Sequence, residues 1–439
     1  MRLRSLEVHR VDKKKFDFGA FMRQNAVTVM FIVLCAVCMF FSGQSISFVL
    51  LEMFGRLSRN AFIVLALIIP IVAGMGINFA ITIGAMAAQI ALLWVVEWNV
   101  MGIGGFLLAA LITVPLAAVF GLLIGMLLNK MKGQEMIGGL ILGYFANGLY
   151  QLLFLFIFGN LVPLKTPGLV IKGSTGVANT IALELPREIS SKLAAGEPKT
   201  LKYALDNILN VDFGTALLIA TGIFLLYCIY VVIFNRKKIV SSVITLAVMG
   251  AGCAVYYFVP AVKNAFVMVK VPVVTFGIVA LLCVFNNALM KTRLGQQFRA
   301  VGQNRTVANA SGINVNAVRL IAIMISTVLA GWGQLIFIQN MGTFQTYGAH
   351  EQVGLYAGAA ILVGGASIKK ATNKQAILGC ILFHLLFLVA PPAAKTIFGD
   401  AAIGEYFRVF ISYGVIAMAL VMHAWSGVQK KKKNALSVQ

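Results

Sequence analysis

Charged residues are scarce in this sequence, and acidic residues are the scarcest. Only 11% of the 439 residues are charged, with 14 Asp and Glu against 36 Lys and Arg. A typical soluble domain carries about 25% charged residues, so this composition excludes an ordinary soluble protein. Hydrophobic residues make up 60% of the chain and gather in runs that match the ~20 residues of a helical membrane span. The sequence therefore predicts an all-α, polytopic transmembrane helix bundle.

Motifs that carry out chemistry are also missing. The dipeptide Gly-Lys never occurs, which excludes the phosphate-binding loop G-x-x-x-x-G-K-[ST] of an ATPase. No Ser-His-Asp, H-E-x-x-H or paired-carboxylate pattern rises above chance. The six cysteines lie in apolar runs, where thiols serve as small hydrophobic side chains. We therefore predict no catalytic residue, no metal site and no cofactor held by this chain.

The net charge of +22 has two interpretations. A basic protein can bind nucleic acid, but no basic soluble domain is evident that could hold a duplex. In a membrane protein, Lys and Arg stay on the cytoplasmic side of the spans. We therefore predict no nucleic-acid partner, and we place the basic segments, both termini included, in the cytoplasm.

Hydrophobic runs predict about 10–12 spans within a transmembrane domain at 26–427. A basic cytoplasmic segment, 1–25, precedes this domain, and a basic cytoplasmic tail, 428–439, follows it. Threading the chain from a cytoplasmic N-terminus places the loop 160–212 outside and the loop 291–316 inside. The predicted spans are 26–42, 60–74, 77–96, 104–128, 136–159, 213–234, 239–260, 272–290, 317–338, 353–367, 375–390 and 403–427.

Glycine-rich breaks interrupt two pairs of these spans. One break lies at Gly74-Met-Gly76-Ile-Asn78 and the other at Gly364-Gly365. Irregular backbone survives at membrane depth only where protein covers it or where it lines a cavity, and we expect one or the other here. Glycines four residues apart also predict close helix packing; the pairs are Gly121/Gly125, Gly139/Gly143 and Gly354/Gly358.

Ionisable residues are nearly absent from the predicted spans. Transporters driven by protons or sodium ions usually keep such residues there, because they are costly in lipid. The sequence therefore favours a transporter whose energy comes from elsewhere. His384 lies within a span, and we interpret it as a packed polar side chain.

Uncharged amides are the polar groups that remain in or near the spans. They suit a pathway for a neutral polar solute, such as a sugar or nucleoside, because an amide can both donate and accept hydrogen bonds without the desolvation cost of a charge. The alternative, that each amide joins neighbouring helices, stays open. The predicted pathway residues are Asn78, Gln89, Asn147, Gln151, Gln334 and Asn340.

One polar, basic stretch lies between two predicted spans. Its core, FRAVGQNRTVANASGI at 298–313, predicts one short cytoplasmic helix that ends at Ser311-Gly312, since glycine commonly ends a helix. Small residues and exposed arginines on such a helix suit insertion into a groove of another protein, while the alternative is an ordinary polar connector. The residues predicted to make or shape this contact are Arg299, Ala300, Gly302, Asn304, Arg305, Ala308 and Gly312.

The same stretch resembles a known family. From Thr292-Arg-Leu-Gly295 through Arg299-Ala-Val-Gly302-Gln-Asn304 to Ser311-Gly312-Ile313, it is similar to the cytoplasmic signature of bacterial ABC-importer permeases. These permeases carry simple sugars, nucleosides and, in relatives, branched-chain amino acids. The run at 76–84 resembles the family's GGIDLSVG sequence, with Asn78 where Asp is usual. Segments 134–147 and 347–365 resemble further stretches of the family, although the proline that usually follows the second one is missing.

The resemblance implies a permease subunit in the bacterial cytoplasmic membrane, surrounded by membrane lipid and paired with a second permease subunit as a homo- or heterodimer. The helix at 299–312 would be the coupling helix that docks on cytoplasmic ABC ATPase subunits, and those subunits would bind the ATP. An extracytoplasmic solute-binding protein would deliver the substrate. Residues 236–270 add spans beyond the family's usual count. A stand-alone secondary transporter or channel, and a membrane scaffold without transport, are the alternatives from other classes.

Overall fold

The computed structural model describes residues 25–400 except 132, 172, 174, 175, 192–196 and 235–238, and it also describes 402–410, 413, 414 and 417. The predicted cytoplasmic segment 1–25, apart from its last residue, and the predicted tail 428–439 lie outside the described residues. So do the basic residues at 236–238 and much of the last predicted span.

Helices make up almost all of the regular structure, with two pairs of short strands. The helices are α1 (Ala26–Ser42), α2 (Ile46–Ala66), α3 (Ile68–Val72), α4 (Ile81–Glu97), α5 (Gly102–Lys130), α6 (Glu135–Leu152), α7 (Arg187–Ser190), α8 (Phe213–Phe234), α9 (Ile239–Phe258), α10 (Pro260–Ala265), α11 (Val273–Leu289), α12 (Arg293–Gln303), α13 (Arg305–Ala310), α14 (Val315–Met341), α15 (Val353–Val363) and α16 (Asn373–Phe398). The strands are β1 (Thr180–Ala182), β2 (Asn210–Asp212), β3 (Lys270–Pro272) and β4 (Thr343–Gln345), and a π-helical turn, Leu153–Ile157, extends α6.

Six helical segments in the described part of the chain are long and apolar enough to cross a membrane. The number becomes seven if α11 and α12, bent by 76° at the break between them, count as one span, and α1, α4, α15 and most of α9 are shorter apolar helices. The predicted all-α polytopic bundle is confirmed. The six segments are Ile46–Val72, Gly102–Lys130, Glu135–Ile157, Phe213–Ile233, Val315–Met341 and Asn373–Phe398.

The second span begins earlier than the sequence predicts. The sequence predicts a span over 60–74, but helix extends over Ile46–Val72 with an interruption at Leu67. The charges of Glu52, Arg56 and Arg59 shorten the hydrophobic run without ending the helix. Glu52 and Arg56 are one helical turn apart and form an ion pair at 3.8 Å, which supports the helix at that point.

Helix α14 lies at the centre of the bundle, in contact with α2, α4 and α5. Helix α4 is apolar on all faces and buried along nearly its whole length, as expected of a central helix. The predicted glycine pairs permit close packing. A Cβ built on Gly121 would lie 2.9 Å from the Met324 Cα, and one built on Gly354 would lie 2.7 Å from the Phe79 oxygen.

Both predicted helix breaks are present. After α3 ends, the chain stays irregular over residues 73–80, and Gly74 and Gly76 adopt left-handed φ angles of 76° and 73°. This segment, the helix break, is buried except at Gly74, so protein covers its backbone as the sequence predicts. The second break separates α15 from α16, where Gly365 has a φ angle of 84°.

The polar segment 160–212 packs on the end of the bundle opposite α12 and α13. Its strand β1 pairs with β4 beside the end of α14, and its strand β2 pairs with β3 at the start of α11. The Glu97 carboxylate accepts hydrogen bonds from the backbone amides of Lys165 (2.7 Å) and Thr166 (3.0 Å). Five of its leucines join the core of the protein, namely Leu169, Leu183, Leu185, Leu201 and Leu205.

Helices α8 and α9 form a hairpin whose main contacts are between the two helices. The β2–β3 pair joins this hairpin to the bundle, and the Phe213 ring lies 6.0 Å from the Phe54 ring of α2. Many of its large hydrophobic side chains are exposed, as expected of helices that face lipid. Helix α9 covers most of the predicted span 239–260, but its described apolar part is one of the shorter helices and not one of the six long segments.

Candidate functional site

The predicted cytoplasmic stretch forms two short helices. The prediction of a single helix over 299–312 is wrong, because α12 ends at Gln303 and α13 begins at Arg305. Asn304 between them is extended, with φ −155° and ψ 110°. Its side-chain oxygen accepts hydrogen bonds from the backbone amides of Thr306 (3.0 Å) and Val307 (3.2 Å). Asn304 therefore ends one helix and caps the next, a position that asparagine strongly favours.

Helix α12 packs directly against the helix break. A Cβ built on Gly302 would lie 2.1 Å from the Val72 oxygen, and one built on Gly74 would lie 2.7 Å from the Gly302 Cα. Two glycines thus let the two backbones touch. Phe298 and Val301 of α12 are buried beside this contact, so α12 is fixed to the membrane part of the chain by its apolar face. A movement of α12 therefore reaches the helix break without an intervening side chain.

An ionic cluster of Glu135, Arg305 and Arg319 makes a second connection to the helix break. The Glu135 Oε1 atom lies 2.7 Å from Arg305 Nη1 and 2.6 Å from Arg319 Nη2. Arg305 also donates a hydrogen bond to the Gly74 oxygen at 2.8 Å. Arg319 is 2% and Glu135 7% exposed, whereas Arg305 is 33% exposed. The Glu135 cluster joins α13, the start of α6, α14 and the helix break.

The predicted contact residues divide into inward and outward groups. Ala308 is buried, Ala300 is half-buried, and the Arg299 guanidinium donates to the Met290 oxygen of its own chain. Gly312, with φ 80°, follows the last turn of α13. The exposed surface of α12 and α13 surrounds Val307, which is 59% exposed, and it carries both uncharged polar side chains and arginines. Its other exposed members are Arg293, Gln296, Arg299, Gln303, Asn304, Thr306, Asn309 and Ala310.

A polar cavity of about 150 Å³ lies at the other side of the helix break. Asn147 of α6 accepts a hydrogen bond from His350 Nε2 at 2.8 Å and donates one to the Glu351 carboxylate at 3.4 Å. Burial lowers the pKa of His350 to about 4, so its ring is neutral near pH 7. The lining residues are Phe79, Thr82, Met86, Leu140, Gly143, Tyr144, Asn147, His350, Glu351, Gln352 and Leu355.

Comparison with protein families matches residues 49–421 to the family described as "Branched-chain amino acid transport system / permease component". This match covers well over half of the chain. The chain belongs to this permease family. The sequence resemblance to ABC-transporter permeases is thereby confirmed, and the protein is a multi-pass protein of the bacterial cytoplasmic membrane.

Three curated relatives show what the permease is similar to. The ribose import permease protein RbsC of Escherichia coli K12 is 28% identical over 155 residues, which are 35% of this chain and 45% of the relative. The nucleoside ABC transporter permease protein NupC of Lactococcus lactis is 32% identical over 143 residues, 31% of this chain and 43% of the relative. The xylose transport system permease protein XylH of Haemophilus influenzae is 26% identical over 162 residues, which are 37% of this chain and 40% of the relative. The aligned part thus spans less than half of each of these relatives, and no solved structure matches the permease.

The predicted pathway amides of the permease do not meet in one place. Asn147 lines the polar cavity, and Gln334 donates to the Ala349 oxygen, next to His350, at 3.1 Å. Gln151, half-buried, lies one turn beyond Asn147 on α6. Asn340 donates to the Asp206 carboxylate at 2.7 Å, at the opposite end of the bundle from α12 and α13. Asn78 and Gln89 are buried, with no hydrogen-bond partner for either side-chain amide among the described residues.

Several residues at the two sites escape prediction from the sequence. Glu135 looks like an ordinary loop carboxylate, and Arg319 looks like the basic border of a span, because their pairing depends on tertiary structure. One signal was available: Arg319 stands two residues inside the predicted span 317–338, where a cation is costly. His350 and Glu351 lie in a turn, and the sequence does not show that the turn faces α6.

Proposed function

We propose that this permease is the membrane-spanning subunit of an ATP-driven importer. It translocates a neutral polar solute, either a simple sugar or a nucleoside. Two cytoplasmic ATPase subunits bind and hydrolyse the ATP, a second permease subunit completes the membrane part, and an extracytoplasmic binding protein delivers the solute. The family match supports the transport role, and the printed functions of the ribose, xylose and nucleoside relatives support the class of solute.

The observation that carries this proposal is the continuous contact from the cytoplasmic helices to the polar cavity. Gly302 of α12 touches Val72 and Gly74 at one end of the helix break, and Phe79 at its other end lines the cavity. A partner that moves α12 and α13 as a rigid body would shift the walls of the cavity. The energy comes from the partner's preference for one of two states of the bundle.

The polar cavity has the chemistry that a neutral solute requires. Amide, hydroxyl, imidazole and carboxylate groups come from Asn147, Thr82, His350 and Glu351, and aromatic rings come from Phe79 and Tyr144. Such groups hydrogen-bond hydroxyls and base edges, and the rings stack on sugars and bases. In this arrangement the cavity is the position where the solute is held as the two ends of the pathway open in turn.

Uptake into proteoliposomes tests the proposal. The permease is reconstituted with its ATPase subunits and binding protein, and the uptake of labelled ribose, xylose and uridine is measured with ATP and without it. We expect ATP-dependent uptake of one solute class and none by the permease alone. Uptake by the permease alone along a proton or sodium gradient would instead establish the rival assignment, a stand-alone secondary transporter.

Replacing Asn147 with leucine is expected to weaken solute uptake by about 10-fold or more, because a polar group of the solute then loses its hydrogen-bond partner in the cavity, at about 1–3 kcal/mol. The KM of uptake should increase, while the rate of basal ATP hydrolysis stays unchanged. Asn264→Leu, which changes an exposed amide on α10, is the matched control. Equal KM values for the two variants would remove the polar cavity from the pathway.

Replacing Val307 with aspartate is expected to weaken ATPase binding by about 10-fold or more, because a valine that becomes buried in the proposed interface contributes about 1.5–3 kcal/mol. Pull-down of ATPase subunits by the detergent-solubilised permease measures the effect. Val267→Asp, an exposed valine near the opposite end of the bundle, should bind normally. If both variants retain the ATPase, the face around Val307 is not the docking surface.

A further inference from the structure

A second cavity differs from the polar cavity because its wall contains the guanidinium groups of several arginines. It has a volume of about 400 Å³ and lies between α2, the end of α14, α15, α16 and the helical residues 402–410. Arg56 and Arg59 come from one turn of α2, and Arg408 comes from the far side. His384, Tyr356 and Phe387 complete the part of the wall that matters here. This space is the arginine cavity, and β4 places it near the end of α14 that carries the 160–212 segment.

The acidic partners of these arginines stand outside the cavity. Glu52 pairs with Arg56 at 3.8 Å and Glu405 pairs with Arg408, but neither carboxylate is part of the wall. Arg59 donates to the Asn340 oxygen at 3.3 Å, and only through Asn340 does it reach Asp206. Within the described residues the cavity wall therefore contains cations and no anion.

Cationic groups that face one space in the membrane part of a protein repel each other and are costly to keep. Their persistence is explained if an anion joins them. Arg59 supports this explanation, because its hydrogen bonds within the described residues go to neutral groups, the Asn340 oxygen and the Met341 sulfur. Arg408 lies over the Phe387 ring, 4.9 Å from its centre, and this stacking holds its guanidinium at the cavity wall.

Guanidinium groups bind phosphate through paired N–H donors. Several of them in one cavity suit a group with two negative charges and several acceptor oxygens more closely than a single carboxylate. The aromatic rings of Tyr356 and Phe387 offer an apolar surface beside these donors. We propose that the arginine cavity binds the phosphate group of a small phosphate ester. That phosphate is a monoester, and it belongs either to the headgroup of phosphatidic acid or to a soluble sugar phosphate.

This site goes beyond the proposed import of a neutral solute. Gln352 borders both cavities, yet the guanidinium groups face only the arginine cavity. Binding is a property of the permease chain alone and needs neither ATP nor the ATPase. A failed binding experiment would leave the proposed transport function intact, and a failed transport experiment would leave this site intact.

Two probes distinguish the sources of the phosphate. Phosphatidic acid is offered in nanodiscs, with phosphatidylcholine, whose phosphodiester carries one negative charge beside a choline cation, as the comparison, and retained lipid is counted by native mass spectrometry. Ribose 5-phosphate is offered to the detergent-solubilised permease, with ribose as the comparison, and binding is measured by calorimetry. We expect one probe to bind and its comparison to bind at least about 10-fold more weakly, because the comparison cannot form the same charge-assisted hydrogen bonds with the arginines.

The variants Arg56→Gln and Arg59→Gln should each reduce that binding by about 10-fold or more. Lys395→Gln, an exposed cation on α16 outside the cavity wall, is the matched control and should bind normally. Arg59→Lys keeps the charge and loses the paired donors, so it should bind with intermediate affinity even where the glutamine variants fold poorly. The proposal is overturned if the wild-type permease binds neither probe. Equal binding by wild type, Arg56→Gln and Arg59→Lys would overturn it as well.

Discussion

The Gly302→Leu permease is expected to insert into the membrane and to lose nearly all solute-stimulated ATP hydrolysis in the assembled complex. A Cβ at position 302 would lie 2.1 Å from the Val72 oxygen, a distance at which the backbones must separate. The leucine side chain is larger than a single Cβ atom, so it would displace α12 from the helix break further than alanine would. The partner would then move α12 without moving the walls of the polar cavity.

A graded series separates this effect from misfolding. Gly302→Ala adds only the Cβ atom and should retain part of the stimulation, whereas Gly302→Leu should retain almost none. Gly277→Leu, a helical glycine of α11 with open space around it, should hydrolyse ATP like the wild type. Basal ATP hydrolysis and membrane yield are measured for all three variants. Full solute stimulation in Gly302→Leu would mean that the contact between α12 and the helix break does not transmit the signal.

The Glu135→Gln permease is expected to be strongly destabilised and poorly coupled. Glu135 neutralises Arg319, which is 2% exposed, and removing one member of a buried ion pair costs about 3–5 kcal/mol. Arg305 also loses the carboxylate that holds it beside the Gly74 oxygen. We therefore expect a lower unfolding temperature in detergent together with a smaller solute stimulation of ATP hydrolysis.

A double variant shows whether the buried charge is the cause. Arg319→Met combined with Glu135→Gln removes the uncompensated cation, so the double variant should be more stable than Glu135→Gln alone. The solute stimulation of ATP hydrolysis should stay weak, because Arg305 still lacks the Glu135 carboxylate. Glu184→Gln, an exposed glutamate in the 160–212 segment, controls for loss of an acid in general. If the double variant is no more stable than the single one, Arg319 does not depend on Glu135.

The sequence predicts the architecture of this permease because lipid restricts what a chain can do. Backbone groups that have no water must form their hydrogen bonds within the helix, so hydrophobic runs predict helices. Glycine pairs such as Gly121/Gly125 predict where two helices pack closely. Gly74 and Gly76 likewise predict the helix break. The early start of α2 escapes prediction, because Glu52, Arg56 and Arg59 lie in the helix before residue 60, where the predicted span begins.

The sites were predicted less completely than the fold. The motif at 292–313 locates the cytoplasmic segment, but not the bend at Asn304, since an asparagine in a polar stretch is also compatible with a continuous helix. Arg305 was expected to face a partner, and its side chain instead contacts Glu135 and Gly74. The contacts of Arg305 involve residues more than a hundred positions away in the chain, which local patterns do not report.

We expect α12, α13 and the helix break to move together when a partner subunit binds ATP. Hydrogen–deuterium exchange on the assembled complex tests it directly, with and without a non-hydrolysable ATP analogue. We predict that the analogue changes amide exchange at 299–312 and at 73–80 together in the wild type, and only at 299–312 in Gly302→Leu. A response at 299–312 with no change at 73–80 in the wild type would contradict the account.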